Sequence, residues 1–354
     1  SLAAAWQATD RLGFKANFLR SEGQNQYDGF SSDLGKNVTQ VANVLTQVSL
    51  TDYWLSDISI GRSWDQSENY QNETDFADSF DTIRDLVEWK NEFFLGSNHG
   101  ITLGVDYQKD KIESSQTFDK TERDNTGIYG QYLGRLGKTD IQASLRRDDN
   151  EQFGIETTGN LAAGYGFDNG LRLTASYGTA FKAPTFNDLY YPYTVYDFGF
   201  GAYIYQGNPN LQPESSSSIE IGLSGEFSVA RWGLNLYQTD IDDLIEVGQI
   251  GDINQPVNID TARIRGLELW TTATLADWVV DANLTLLDPR NRSEGSDYDK
   301  LLTKRAEQTF RVDADRQFGR IGLGGTLTAV GRRYDDPANT ESLDAYTLFD
   351  LRAS

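Results

Sequence analysis

A chain of 354 residues is long enough for two or three ordinary domains or for one large barrel. It contains no cysteine, which excludes disulfide scaffolds, thiolate metal sites and cysteine catalysis. Its 31 basic and 53 acidic side chains leave a formal charge of −22, the wrong sign for a nucleic-acid partner, whose phosphates demand lysine and arginine.

No run of apolar residues is long enough for a membrane-spanning helix, and the pattern along the chain is alternation of period two. The segments SLAAAWQAT and GFKANFLRSE read as the first strands, joined by the turn chemistry of Asp10–Gly13. Comparable tight turns follow at Ser97–Gly100, Gly137–Asp140 and Asp168–Gly170, where Asn or Gly accepts positive φ. From Leu171, apolar positions Leu171, Leu173, Ala175 and Tyr177 alternate with Arg172, Thr174, Ser176 and Gly178. IEIGLSGEF places Ile219, Ile221, Leu223 and Phe227 on one face, and IGLGGTLTAV does the same with Ile321, Leu323 and Leu327. About seventeen strands of roughly ten residues each are expected, with no amphipathic helix between them.

Between the tight turns lie long polar stretches: SEGQNQYDGFSSDLGKN, DQSENYQNETDFADS, QKDKIESSQTFDKTERDN, the aromatic segment over residues 183–213, and DPRNRSEGSDYDKLLTK. Long loops at one end and short turns at the other, with aromatics such as Trp54, Trp89, Phe93, Phe94, Trp270 and Trp278 near strand ends, predict an all-β, transmembrane, antiparallel up-and-down β-barrel. A mean hydropathy of −0.53 is compatible, because lumen and loops are polar. A soluble sandwich alternates in the same way; a propeller would need a repeat of about 40–50 residues, and none is visible.

The segments SYGTAFKAPTFNDLYYP, GNPNLQPESSSSIEIGLSG, YQTDIDDLIEV and NIDTARIRGLELWTTATL, in that order and spacing, resemble the barrel of a TonB-dependent outer-membrane receptor. VDYQKDK, RDNTGIYGQYLGRLGKTDIQASLRRDDNEQFG, LLTKRAEQTF and VGRRYDDP are similar to the cobalamin transporters of that family. The resemblance implies a bacterial outer-membrane location and TonB-dependent uptake of cobalamin or a related corrinoid. It also implies contact with outer-membrane lipid and lipopolysaccharide. Residues 1–354 would then be a partial barrel domain, about seventeen strands of the twenty-two expected, with the TonB energy-coupling complex acting through a plug domain that has no counterpart in this sequence.

Site residues follow from the same resemblance. Tyr27 and Asp28 fall where the cobalamin transporters carry a calcium-binding Tyr–Asp pair; the nearest oxygen donors to the family's further ligand are Asp33 and Asn37, both off register, with Asp33 taken as the third ligand, so calcium is the expected ion, held to order the outer loops. Gly29, Ser79 and Lys304 align with cobalamin-contacting positions, while Pro337 or Ala338 stands where the family has a further tyrosine. In the long aromatic loop Tyr190, Tyr191, Tyr193, Tyr196 and Tyr203 are candidate ligand contacts, and GNPNLQPE reads as a structural return, with Glu214 capping or pairing at the next strand.

Nothing supports catalysis. His99 is the one histidine and sits in a turn, so nucleophile–base and zinc constellations are unavailable. The doubled acids Asp148–Asp149, Asp242–Asp243 and Asp335–Asp336 read as solvated loop residues. A siderophore or haem receptor is the nearest rival function, and a passive porin or a soluble binding module are rivals of other classes.

Overall fold

The computed structural model describes the chain except for Asp28, Phe30, Ser31, Phe198 and Phe200 and the side chain of Asp260. The first half is a run of ten strands: β1 (Leu2–Thr9), β2 (Leu12–Gln26), β3 (Leu34–Thr51), β4 (Trp54–Tyr70), β5 (Phe76–Phe94), β6 (His99–Ser114), β7 (Glu122–Leu136), β8 (Thr139–Asn150), β9 (Gly154–Gly166) and β10 (Leu171–Lys182). The long aromatic loop holds helix α1 (Phe186–Tyr190) and the hairpin β11 (Thr194–Asp197) and β12 (Ala202–Tyr205). There follow β13 (Glu214–Glu226), β14 (Ala230–Ile250), β15 (Ile253–Leu275), β16 (Trp278–Asn291), β17 (Gln308–Phe318) and β18 (Ile321–Val330). A small pair, β19 (Arg333–Tyr334) and β20 (Ser342–Leu343), precedes β21 (Tyr346–Ala353).

These form one 19-stranded sheet and the separate β19–β20 pair. Setting aside β11 and β12, which stand in the outer loop, leaves seventeen antiparallel strands, each bonded to its neighbour in the meander, with β10 passing directly to β13. This is the expected up-and-down architecture.

The alternation sorts side chains as the sequence pattern requires. Residues directly opposite in a ladder share a face, and Leu173 opposes Leu223, Ala175 opposes Ile221 and Tyr177 opposes Ile219. Leu173, Ile219, Ile221, Ile321 and Leu323 are all exposed on this outer surface, where hydrocarbon is the natural solvent. The opposite face is small and ionic. The buried apolar residues, including Leu34, Phe118, Phe186, Leu189, Leu244 and Leu302, lie at the outer ends of strands and in the outer loops. What packs dry is therefore the loop array.

Three expectations are corrected. Strands exceed about ten residues, reaching 21 in β14 and 23 in β15, because pairing continues beyond the span of the bilayer into segments that read as loops. The connection between β2 and β3 shrinks in this way to residues 27–33, and that between β4 and β5 to residues 71–75. A helix is present: in α1, Thr185 Oγ1 accepts from Asp188 N while Asp188 accepts from Thr185 N, a capping box that starts a turn too short to show periodicity. Asp148 is no loop residue; it is buried within β8.

Candidate functional site

The aromatic loop over residues 183–213 is seated by packing and by backbone bonds. Phe186 and Leu189, from successive turns of α1, are buried. Phe186 joins Ile112 at the end of β6 and Phe118 of the β6–β7 loop, and Phe80, Tyr190 and Tyr191 close around them. The return segment locks against the helix: Gly207 N donates to Tyr191 O at 2.9 Å and Asn208 N to Asp188 O at 2.7 Å. A β-carbon on Gly207 would lie 2.6 Å from Tyr191 N and 2.8 Å from Leu189 C, so only glycine permits the approach. Asn208 Nδ2 reaches Pro256 O on β15 at 3.0 Å. Glu214 Oε1 accepts from Lys182 Nζ and from Ile245 N, both at 3.1 Å, the pairing role expected of it.

The candidate tyrosines divide by environment. Gln152 Nε2 donates to the Tyr190 hydroxyl at 2.6 Å, and the Tyr191 and Tyr196 hydroxyls bond each other at 2.8 Å. Tyr191 also packs edge-on against Phe118 and Tyr205. Burial pushes the Tyr191 phenol up, and its bond to Tyr196 and the nearby Asp78 add to the rise. Tyr193 and Tyr203 remain exposed at the hairpin.

Tyr27 connects to the same region. Its hydroxyl donates to Asn69 Oδ1 at 3.0 Å and bonds Ser32 Oγ at 2.7 Å, and Asn69 Nδ2 donates to Asp78 at 2.7 Å. Ser79 is the next residue; its amide donates to Ser115 Oγ and its carbonyl accepts from Ser114 Oγ at 2.8 Å. Gly29 lies against the Tyr27 ring, where a β-carbon would come within 2.8 Å. Tyr27 and Asp33 line a cavity of about 590 Å³ with Gln71, Asn72 and Glu73. Asp33 and Glu73 supply two carboxylates; among the described residues no cluster of three metal-ligating side chains occurs. Asp28, the other expected calcium ligand, lies outside the described residues.

Lys304 belongs to a different loop. Its backbone is left-handed, with φ 59°, its amide donates to Tyr334 O at 2.7 Å, and its ammonium stands 3.5 Å from Asp335. Among the described residues, no hydrogen bond or ion pair joins it to Tyr27, Ser79, Tyr190 or Tyr191. Nearby, Leu244, Ala262 and Leu302 make a second dry cluster. Burial raises Glu246, against the opposing pull of Arg305 at 3.6 Å.

The inner wall carries a network that no local motif announces. Arg146 on β8 bonds both oxygens of Asp106 on β6 and also pairs with Asp148 at 2.7 Å. The guanidinium lies over the Tyr129 ring, and the Tyr129 hydroxyl donates to Glu88 at 2.6 Å. Gly127 makes room, since a β-carbon there would overlap the Arg146 guanidinium. Higher on the same wall Arg84 pairs with Asp110 at 2.7 Å, and Arg123 donates to Pro184 O at 2.8 Å, tying the wall to the loop. The one legible sign was charge on the inward register of RRDDN.

An aliphatic outer register, an ionic inner register and a packed array of outer loops define a transmembrane β-barrel of the outer-membrane class. The family described as TonB dependent receptor-like, beta-barrel, matches residues 1–354, and the chain belongs to that family of outer-membrane proteins. Curated relatives include the "Vitamin B12 transporter BtuB" of Photobacterium profundum, 31% identical over 343 residues (94% of this chain, 54% of the relative), and that of Vibrio vulnificus, 29% identical over 339 residues (93% and 52%). The chain thus spans about half the length of the curated relatives it matches. Among solved structures, the siderophore receptor PirA from Acinetobacter baumannii superposes with a TM-score of 0.79 at 16% identity, covering 99% of this chain and 63% of that one. A copper transporter, OprC, gives 0.77 at 14% identity, with 99% and 62% covered. These likenesses show the fold.

Proposed function

We propose that the protein carrying this barrel takes up a corrinoid, cobalamin or a close relative, across the outer membrane in a TonB-dependent manner. The observation that carries the reading is the 31% identity, over 94% of the chain, to a curated vitamin B12 transporter. The chemistry of the loops agrees. They are acidic and aromatic, which disfavours a strongly anionic ferric siderophore and suits a large, nearly neutral ligand edged with amides. Gly29, Ser79, Tyr190 and Tyr191 would present backbone, hydroxyl and flat aromatic surface, and Lys304 would meet the ligand's phosphate. The energy-coupling complex would act through a plug domain within the lumen. No step calls for catalysis.

Calcium belongs to the same proposal. Asp33, Glu73 and the Tyr27 hydroxyl are hard oxygen donors around one cavity, the chemistry that a calcium ion takes, and an ion there would tie the β2–β3 loop to the β4–β5 loop. Titrating the purified full-length protein with cyanocobalamin and with ferric siderophores, in calcium and in chelator, tests both parts. Corrinoid binding that is weakly salt-dependent and loosened by chelator is expected, since few charge pairs are available for screening. Tight siderophore binding without corrinoid binding would overturn the ligand; corrinoid binding indifferent to chelator would overturn the calcium.

A further inference from the structure

High on the inner wall, across β5, β6 and β7, Arg84, Asp110 and Arg123 stand in one rung, two cations to one carboxylate. That carboxylate is committed to one side. Arg84 Nε and Nη2 donate to its two oxygens at 2.7 and 3.1 Å, and Gln108 Nε2 adds a bond at 3.0 Å. Arg123 makes no ion pair among the described residues. Its Nη1 donates to Pro184 O at 2.8 Å, and its guanidinium lies over the rings of Phe153 and Phe186, 5.8 and 5.2 Å from their centroids. A guanidinium has five N–H donors, and this one gives up water to the two rings without gaining a counter-charge, which is costly unless an anion completes the arrangement.

The space for that anion is present. Arg84 and Arg123 line a cavity of about 410 Å³ with Asn125, Asn150 and Thr158, below the start of the aromatic loop. Neighbouring strands lie about 4.8 Å apart, so the two arginines approach from β5 and β7 across roughly 10 Å, with buried Asp110 between them. The other acids at this height are occupied. Asp148 takes Arg146 at 2.7 Å and the Asn125 amide at 2.8 Å, and Asp124, on the outward register, accepts from the Tyr107 hydroxyl at 2.7 Å. A planar carboxylate is satisfied by a single arginine fork. Cations on two sides, with amide and hydroxyl groups between, suit a tetrahedral group with several free oxygens, a phosphate.

We infer that Arg84 and Arg123 form a phosphate-binding subsite on the inner wall beneath the aromatic loop. It uses none of the residues proposed above for ligand contact, and its phosphate is either a free ion or one borne by a ligand entering the lumen. Because Arg123 also holds Pro184 and backs Phe186, an anion that fixes it fixes the loop. Hydrogen exchange at Phe186–Tyr191 is followed in the full-length protein, held in a phosphate-free detergent, while inorganic phosphate is added at an ionic strength matched with sodium chloride. Saturable slowing by phosphate and none by chloride is expected. The midpoint should rise about tenfold or more in Arg84→Gln, which touches neither Pro184 nor the rings under Arg123, and fall in Asp110→Asn, where Arg84 is released from its carboxylate. A purely structural role predicts loosening in both. Cyanocobalamin and cobinamide, a corrinoid without the phosphate, identify the source: slowing by cyanocobalamin alone, lost in Arg84→Gln, assigns the phosphate to the ligand. Slowing by chloride as strong as by phosphate, a midpoint unmoved in Arg84→Gln, or no slowing by inorganic phosphate together with equal responses to the two corrinoids would overturn the inference. Should Arg84→Gln fail to fold, Asp110→Asn carries the test, and an unmoved or raised midpoint there overturns it.

Discussion

Arg146 and Asp106 stand 40 residues apart in the chain and meet on the inner wall in a two-point ion pair, with Nη1 at 2.6 Å and Nη2 at 2.9 Å from the two carboxylate oxygens. Asp148 shares the same guanidinium. One cation thus serves two largely buried carboxylates, so removing it should hurt more than removing either acid. Arg146→Met is expected to cost roughly 2–3 kcal/mol, below the 3–5 typical of a fully buried pair because the arginine is partly open to the lumen. Asp106→Asn should cost less. Urea unfolding of the full-length protein in vesicles gives both numbers, and equal stability of Arg146→Met and wild type would show that the pair is dispensable.

Gly207→Ala should unseat the aromatic loop. The added carbon meets backbone atoms of Leu189, Tyr190 and Tyr191, at the end of α1 and its cap, at 2.6–2.8 Å, and these cannot yield without breaking the bond from Gly207 N to Tyr191 O. We expect new protease cleavage within residues 186–213 and weakened ligand binding, while the barrel still folds. A loop as resistant as wild type would contradict the close approach.

Ile221 is the middle of the outward run Ile219, Ile221 and Leu223 on β13. Ile221→Arg should destabilise the folded barrel by about 2–4 kcal/mol. The same change at Ser176, on the inward register, should cost much less, since lumen positions tolerate charge. Folding titrations into lipid vesicles compare the two; a reversed order would mean that the faces are assigned the wrong way round.

Asp336 clamps the outer loop between β18 and β21. Its carboxylate accepts from Glu341 N at 2.6 Å and from Thr340 N at 2.9 Å, and these bonds hold its pKa below the ordinary value. Because the folded value is the lower one, the clamp's contribution is whole above about 3.9, the unfolded value, and is lost as pH falls through the folded value. Hydrogen exchange at Thr340 and Glu341 should therefore accelerate on acidification through that window beyond its intrinsic trend. Asp336→Asn should show no such step.

The meander was readable in advance because lipid imposes period two on each spanning strand. Leu171, Leu173 and Ile221 needed only their own sequence to declare a face, and tight turns such as Gly137, with φ 63°, carried their own chemistry. What lay hidden was made by distance. The end of β4 and the start of β5 read as loop because, above the bilayer, a strand has no reason to be greasy on one side. Asp148 looked like half of a solvated acid pair because Asn125, which donates to it, and Asp106, which shares its Arg146, lie on other strands. Of the candidate site, sequence pointed to Tyr27, Ser79 and the tyrosines of the long loop. The link Tyr27–Asn69–Asp78 that draws the first two together depends on strand register, which alternation alone does not fix at polar ends.

The hairpin of β14 and β15, 21 and 23 residues long, measures about 70 Å along its strands. Even tilted at about 40°, it rises well past an apolar band only about 25 Å tall. The turn at Gly251 is consequently a mast head. That tip is braced from the side, since Ile253 and Asn254 pair with Ile204 and Tyr205 of β12, so a change there reaches the aromatic loop before it disturbs a single rung in the membrane.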